Sequence, residues 1–354
     1  MLSRREFIRQ SILYALALAG GSAISSCSPN PTGTPVPPTT APTSVPTSSV
    51  ASSVSSSASS VVSSVAKIAT ATPMVATPVA PVSGEAYLAI ARGSSPAAIT
   101  RAVVDALGGI GKFVKAGNDV IIKPNICNAQ NTFEYASTTN PEVVAELVKM
   151  CLEAGAKRVR IMDQPFSGTA NIAYQRSGIK DAVEKVGGVM EIMANAKYVN
   201  VDFPTSSRDL RSLKIYQDIM KADVVINVPI AKHHGSAQLT LSMKGLMGII
   251  QDRNTIHTAL DQRIADLSTA IKPTLNIIDA VRVLTRNGPT GGSLSYVQMA
   301  NTMIASVDPV AADGYAAQLL FKRKPQDIGY IKYGAEMGLG TYDFAKMAIK
   351  EVNS

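Results

Sequence analysis

Lysine and histidine side chains that can do acid–base chemistry are concentrated in NVPIAKHHGSAQLTLSMKGLMG, residues 227–248. Lys232, His233, His234 and Lys244 fall within thirteen positions of each other, and two of the chain's three histidines are adjacent. Histidine titrates near neutral pH, and crowded lysines lower one another's pKa, which can turn one amine into a base or a nucleophile. Lys232, His234 and Lys244 are therefore candidate catalytic residues. A solvated basic loop is the alternative interpretation.

The hydrophobic pattern around this stretch predicts strands that alternate with helices. The strand candidates are AYLAIAR, DVIIKPN, RVRIMDQ, DVVINVP, TLNIIDA and TMIAS. The helix candidates are residues 95–117, 140–155, 208–222, 260–271 and 308–321. This alternation favours an α/β fold with a mostly parallel or mixed sheet and helices on both faces.

Polar residues follow several of the predicted strands. In sheets of this kind ligands bind beyond the carboxyl ends of the strands, so these side chains are expected to meet in one crevice, with Asp279 on its floor. For Asp308, which precedes Pro309, a helix N-cap is the favoured alternative. The candidate binding residues are Lys123, Asn125, Asn128, Asp163, Asp279 and Asp308.

A metal site is a second interpretation of the histidines. His233 or His234 would act with His257 and Asp261, which are four positions apart and would share one face of a helix. The lysines argue against this site, because nearby cations oppose the binding of another cation. A divalent metal is nevertheless left open as a cofactor or partner.

The N-terminal residues predict export and lipid attachment. Residues 1–27 contain SRREFI, which is similar to a twin-arginine export signature, followed by an apolar stretch and the lipobox-like sequence ISSC. Cys27 would then receive the lipid and anchor the protein to the outer face of the cytoplasmic membrane or elsewhere in the cell envelope. Residues 28–83 consist mainly of Ser, Thr, Pro, Ala and Val and predict a disordered tether. Residues 84–354 form the single predicted domain.

Charge and cysteine content argue against two other classes of protein. The formal net charge is +8, of which residues 84–354 carry +5, and no basic run is interleaved with aromatic residues, so nucleic acid is not an expected partner. The only cysteines are Cys27, Cys127 and Cys151, without a CxxC motif. No iron–sulfur cluster ligated by this chain alone is expected. Two separate buried thiols are favoured over a disulfide between Cys127 and Cys151.

Four segments resemble the family called domain of unknown function 362: KPNICNAQ, INVPIAKHHGSAQLTLSMKGLMG, LNIIDAVRVLTRNGPTGG and IASVDPVAADGYAAQLL. The resemblance adds Ser242 to the candidate binding residues. Gly245 stands where the family often has Asn, and the ferredoxin-type cysteines of many members are absent, so an electron-transfer role is not implied. The matching positions are Lys123, Asn125, Lys232, His234, Gly235, Ser242, Lys244, Asp279, Asn287, Gly288, Pro289, Ser306, Asp308 and Asp313.

The sequence therefore predicts an exported, lipid-anchored protein with a Lys-, His- and Asn-lined site for an anionic small molecule or a metal. No GxSxG, Walker or Rossmann motif is present to name a reaction. Catalysis is left open, and a protein that captures its ligand without chemistry is the alternative.

Overall fold

The computed structural model describes residues 87–354. The predicted signal peptide and tether lie outside the described residues. The strands are β1 Leu88–Arg92, β2 Asp119–Pro124, β3 Arg158–Ile161, β4 Val189–Met190, β5 Tyr198–Asp202, β6 Ser212–Tyr216, β7 Val224–Val228, β8 Ile230–His234, β9 Gln238–Thr240, β10 Leu275–Leu284, β11 Val297–Ser306 and β12 Ile349–Asn353. The α-helices are α1 Pro96–Ala106, α2 Pro141–Glu153, α3 Ala170–Arg176, α4 Ile179–Glu184, α5 Gln217–Lys221, α6 Ser242–Gly245, α7 Arg253–His257, α8 Leu260–Ala270, α9 Pro309–Phe321 and α10 Gly329–Glu336.

Within residues 87–354, ten strands form one sheet in the order β12-β1-β11-β10-β7-β2-β3-β4, with β8 beside β10 and β9 beside β8. The neighbours from β10 through β7, β2 and β3 to β4 are parallel. β11 is antiparallel to both β10 and β1, and β12 is parallel to β1. The predicted α/β class with a mostly parallel, mixed sheet is confirmed.

Apolar side chains of the sheet alternate between two cores, one on each face. In β2, for example, Val120 and Ile122 pack into one core and Ile121 into the other, because successive residues of a strand point to opposite faces. Helices α1 and α2 cover the first face through residues such as Val103 and Leu147. Helices α8, α9 and α10 cover the second. Helices on both faces leave the strand ends as the open edge of the sheet.

Pro229 ends β7, as the predicted strand DVVINVP did, and separates it from β8, a strand that the sequence analysis did not predict. Proline has no N–H to donate to a ladder. The chain therefore leaves the β2 side after Val228 and continues along β10, where the N–H of Asp279 donates to the carbonyl of Pro229 at 2.8 Å. β8 thus carries the basic stretch beyond the carboxyl ends of β2 and β7.

The structure differs from the sequence prediction at two of the predicted helices. Residues 208–222 were expected to be one helix, but β6 and the short α5 replace it. Leu213 and Ile215 are buried while Ser212 and Lys214 are exposed, which is the two-residue period of a strand. The helix predicted over 95–117 ends at Ala106, just before Gly108 and Gly109, which have φ of 103° and 82°. No helix among the described residues is long and apolar enough to span a bilayer.

Candidate functional site

A small cleft of about 70 Å³ lies beyond the carboxyl ends of β2, β3 and β7. This is enough space for several water molecules or a small anion. Its walls come from the segments after β2 and β3, from β8, and from residues 240–257. The polar residues that line it are Asn125, Asp163, Gln164, Lys232, His234, Thr240, Lys244, Arg253 and His257.

Asp163 is the only acidic residue among those lining the cleft within residues 87–354, and it is already paired. The Lys123 ammonium lies 2.7 Å from Asp163 Oδ1, and both side chains are 1% exposed. Asp163 Oδ2 accepts the N–H of Ile126 at 2.7 Å. Burial lowers the pKa of Lys123, and its attraction to Asp163 opposes that shift. Lys123 therefore lies behind the wall, and its charge is offset before any ligand binds.

Lys232 is held by a backbone carbonyl instead of a carboxylate. Its Nζ donates to the carbonyl of Ser137 at 2.9 Å, and the side chain is buried. A carbonyl fixes the ammonium in place without cancelling its charge. Asn125 lines the cleft nearby, and its Oδ1 atom is buried without a hydrogen-bond partner in the described part of the chain.

His234 is fixed in one orientation by the turn that follows it. Its Nδ1 atom accepts the N–H groups of Ser236 at 3.2 Å and Ala237 at 3.1 Å. Burial, and then the positive charges of Lys244 and Lys232, lower the pKa of His234 to about 3. The ring is therefore neutral at physiological pH, and because Nδ1 is the acceptor, Nε2 carries the hydrogen.

Lys244 differs from the other two lysines because its amine has no hydrogen-bond or ion-pair partner within residues 87–354. Burial, and then the charges of Lys232 and Arg253, lower the pKa of Lys244 to about 7. A substantial fraction of the amine is thus uncharged near neutral pH. Arg253 is anchored through the carbonyls of Met247, at 3.1 Å, and Gln164, so its charge is also uncompensated.

Asp313 positions the short helix α6 that carries Lys244. Its carboxylate accepts the N–H groups of Ser242 at 2.7 Å and Met243 at 3.0 Å, so it caps the helix from a distant segment of the chain. Burial raises the pKa of Asp313 to about 7. The capped helix ends at Gly245, where a Cβ would come within 3.3 Å of Pro229. A larger residue there would crowd the junction of β7 and β8.

The family model described as Domain of unknown function (DUF362) matches residues 120–318, more than half of the chain. The chain belongs to this family. A thylakoid-associated protein, sll1697, of Synechocystis sp. is 28% identical over 229 residues, which are 62% of this chain and 68% of that protein.

Two solved structures are more distant from this DUF362 protein. The lactate racemase apoprotein of Thermoanaerobacterium thermosaccharolyticum is 13% identical with a TM-score of 0.44, and the match covers 68% of this chain and 57% of that one. A Thermotoga maritima protein is 15% identical with a TM-score of 0.36, and the match covers 53% of this chain and 51% of that one. The chain thus spans little more than half of either solved chain, and neither likeness carries an argument about function.

Several expected binding residues of the DUF362 domain do not line the cleft. Asp279 is not its floor: its carboxylate accepts the N–H groups of Asn140 at 2.7 Å and Val281 at 2.9 Å, and burial raises its pKa to about 6. Asn128 closes a turn by accepting the N–H groups of residues 130 and 131. Asp308 caps α9 through the N–H of Ala311 at 2.9 Å, as the alternative interpretation held. Ser242 is buried at the start of α6.

The geometry of the suggested metal ligands corrects the sequence interpretation. His257 and Asp261 do not share a helix face, because α7 ends at His257 and α8 begins at Leu260. His233 points away from His234 across β8, and its Nδ1 accepts the N–H of Gly288 at 3.1 Å. Within residues 87–354, no group of three or more His, Cys, Asp or Glu side chains could hold a metal ion.

The cleft residues that the sequence analysis missed include Cys127, Thr240 and Arg253. Cys127 lines the wall and its thiol donates to the carbonyl of Pro289 at 3.4 Å. It follows β2 in the same segment as Asn125, so the strand-end argument applied to it equally. Cys127 and Cys151 are both free thiols. Arg253 follows no strand of the main sheet, and no sequence pattern pointed to it.

Proposed function

We propose that the cleft of this DUF362 domain binds a small anionic molecule. The observation that carries the proposal is the imbalance of charge: Lys232, Lys244 and Arg253 face the cleft, while Asp163, the one lining acid among residues 87–354, is neutralised by Lys123. Cations fixed by backbone carbonyls in a partly dry site bind anions more strongly than solvated surface cations do. A metal ion is disfavoured by the same charges.

Acid–base chemistry on that anion is the further part of the proposal. Lys244 can exchange a proton near neutral pH, and His234 offers a fixed Nε2–H donor in the same cleft. Binding of the anion without any reaction would use the same residues. The two roles are separated by recovering the ligand after incubation and asking whether it is chemically changed.

We further propose that the protein is exported and held at a membrane by a lipid on Cys27, with residues 28–83 as the tether. The twin-arginine-like and lipobox-like sequences support this location. The relative named a thylakoid-associated protein is also assigned to a membrane by its name.

Anion binding is tested by titration calorimetry of the full chain with phosphate and with glycolate. Lys232→Met should weaken binding by about 1 to 3 kcal/mol, the value of a charge-assisted contact. Lys346→Met is the matched control, since Lys346 is highly exposed and pairs with Asp343, which is also exposed. Equal affinities for the two variants, or tighter binding of a divalent cation than of any anion, would refute the proposal.

A further inference from the structure

The three lysines around the cleft are not equivalent in what they can do to a ligand. Lys123 is paired with Asp163 at 2.7 Å, and Lys232 donates to the carbonyl of Ser137 at 2.9 Å. Both amines are committed to protein acceptors. Lys244 lines the cleft, and its amine has no such partner in the part of the chain that the structure describes.

Every charged group near Lys244 acts on its amine with a known sign. Lys232, Arg253 and Lys123 are cations that disfavour its protonation, and a Cys127 thiolate would favour it. Burial acts in the same direction as the cations, and together they bring the pKa of Lys244 to about 7. A lysine whose amine is uncharged near neutral pH has an available lone pair, which is the requirement for attack on a carbonyl carbon.

Resting on the anion-binding function proposed above, we propose that Lys244 forms an imine with a small 2-oxo acid bound in the cleft. Lys232 and Arg253 line the same cleft and supply the positive charge that its carboxylate needs. His234, with Nδ1 occupied by the turn, presents Nε2–H to the same space as a donor for the carbonyl oxygen. The cleft is small, which favours a short-chain acid.

The bond changes balance without an oxidant or reductant. The lone pair of Lys244 Nζ forms a bond to the carbonyl carbon while the carbonyl π electrons move to oxygen, which takes up a proton. Nitrogen then loses a proton, and the hydroxyl group takes up a second proton and leaves as water. The nitrogen lone pair forms the C=N bond to give a protonated imine, and loss of its N–H proton gives the neutral imine. One amine and one carbonyl give one imine and one water.

The test uses the full chain incubated with glyoxylate, the smallest 2-oxo acid, and sodium cyanoborohydride, which delivers hydride to an imine carbon and fixes it as a carboxymethyl amine. Peptide mass spectrometry should place the modification on Lys244, with glycolate slowing its formation by competing for the cleft. Lys244→Arg should lower the part of the incorporation that glycolate inhibits at least about tenfold, because Arg keeps the charge but lacks a nucleophilic amine. Lys346→Arg should leave that part unchanged.

Two results overturn the proposal in distinguishable ways. If glycolate binds by calorimetry but Lys244 is modified no faster than exposed lysines such as Lys346, the anion site stands and the imine does not. If glycolate neither binds nor slows modification of Lys244, the anion-binding function itself fails and the imine proposal with it. The competition by glycolate is measured on the unmodified sequence, so the test does not depend on whether Lys244→Arg folds.

Discussion

The Cα of Gly248 lies so close to the carboxylate of Asp163 that a Cβ there would come within 1.8 Å of Oδ1 and 2.8 Å of Lys123 Nζ. The carboxylate cannot simply swing away, because the N–H of Ile126 and the ammonium of Lys123 hold it on both oxygens. A glycine is therefore required for the buried ion pair to form against this backbone segment.

Gly248→Ala is expected to displace the Asp163 side chain and break its pair with Lys123. Breaking a buried ion pair costs about 3 to 5 kcal/mol of unfolding free energy, because each charge is left without its partner. Gly111→Ala is the matched control, since a Cβ at Gly111 meets no atom within 4 Å. Denaturant unfolding of the two variants checks the prediction, and equal stabilities would contradict it.

Lys244→Met is expected to stabilise the domain while weakening anion binding. The pKa of Lys244 lies at about 7, below its ordinary value of 10.5, so the unfolded chain binds the proton more tightly than the folded one. Stability is therefore lost as pH falls from 10.5 through about 7, and methionine removes that loss. A gain of about 1 kcal/mol at neutral pH is expected, the low end of the range for replacing a buried charge by an apolar side chain, because Lys244 is only partly buried.

The check on Lys244→Met is urea unfolding at several pH values. The difference from the original protein should shrink as pH rises to 10.5 and above, because the lysine then becomes neutral in the unfolded state as well as in the folded one. A variant that is less stable at neutral pH, or a difference independent of pH, would count against an unpaired, partly buried amine at Lys244.

His234 should make the protein sensitive to acid. Its pKa in the folded state is about 3, below the ordinary 6.5, so stability contributed by the neutral ring is lost as pH falls from 6.5 to about 3. His234→Asn places an amide oxygen near the Nδ1 position, so the turn at Ser236 and Ala237 retains an acceptor. The variant should fold and should bind anions about tenfold more weakly, because Nε2–H is lost. Its unfolding free energy should also depend less on pH between 6.5 and about 3.

His234→Gln is the companion variant, because the longer amide mimics Nε2 and leaves the turn without its acceptor. It should be less stable than His234→Asn by about 1 kcal/mol. If the two variants unfold at the same urea concentration, the Nδ1 hydrogen bonds do not stabilise the turn.

Cys27→Ala is expected to abolish lipid labelling and to release the protein from the membrane fraction. The reason is that a lipobox cysteine is the sole acceptor of the lipid in the proposed anchor. Radiolabelled fatty acid incorporation and cell fractionation measure the two effects, with Cys151→Ala as a control for loss of a cysteine. Unchanged labelling and fractionation of the Cys27 variant would exclude the anchor.

The strand-end argument predicted part of the cleft from sequence because parallel strands bring their carboxyl ends together. Asn125, Asp163, Lys232 and His234 lie there for that reason, and Lys244 is brought in by α6. Asp279 was misplaced because β10 does not end at Ala280 but continues to Leu284 alongside β8 and β11. The length of a strand depends on the strands that pair with it, and the local sequence pattern carries no information about that pairing.

Two other failures have local causes. The pattern of Ser212 to Tyr216 has the period of a strand, yet it lies beside the helical residues of α5, and the longer helical interpretation prevailed. His257 and Asp261 have the spacing of a helix face, but the helix is interrupted at Thr258 and Ala259, between α7 and α8. Arg253 could not be found, since its position depends on the tertiary contacts of Met247 and Gln164.

Under the proposed anion-binding function, the carbonyl anchoring of Lys232 and Arg253 couples the folding equilibrium to the concentration of the ligand. An anion bound among these cations relieves their mutual repulsion in the folded chain and gains nothing comparable from the unfolded one, so occupancy and stability rise together. At a concentration one hundred times its Kd, a ligand raises the unfolding free energy by about 2.7 kcal/mol. Thermal-shift screening of small carboxylates and phosphates would therefore rank them by affinity before any reaction has been identified.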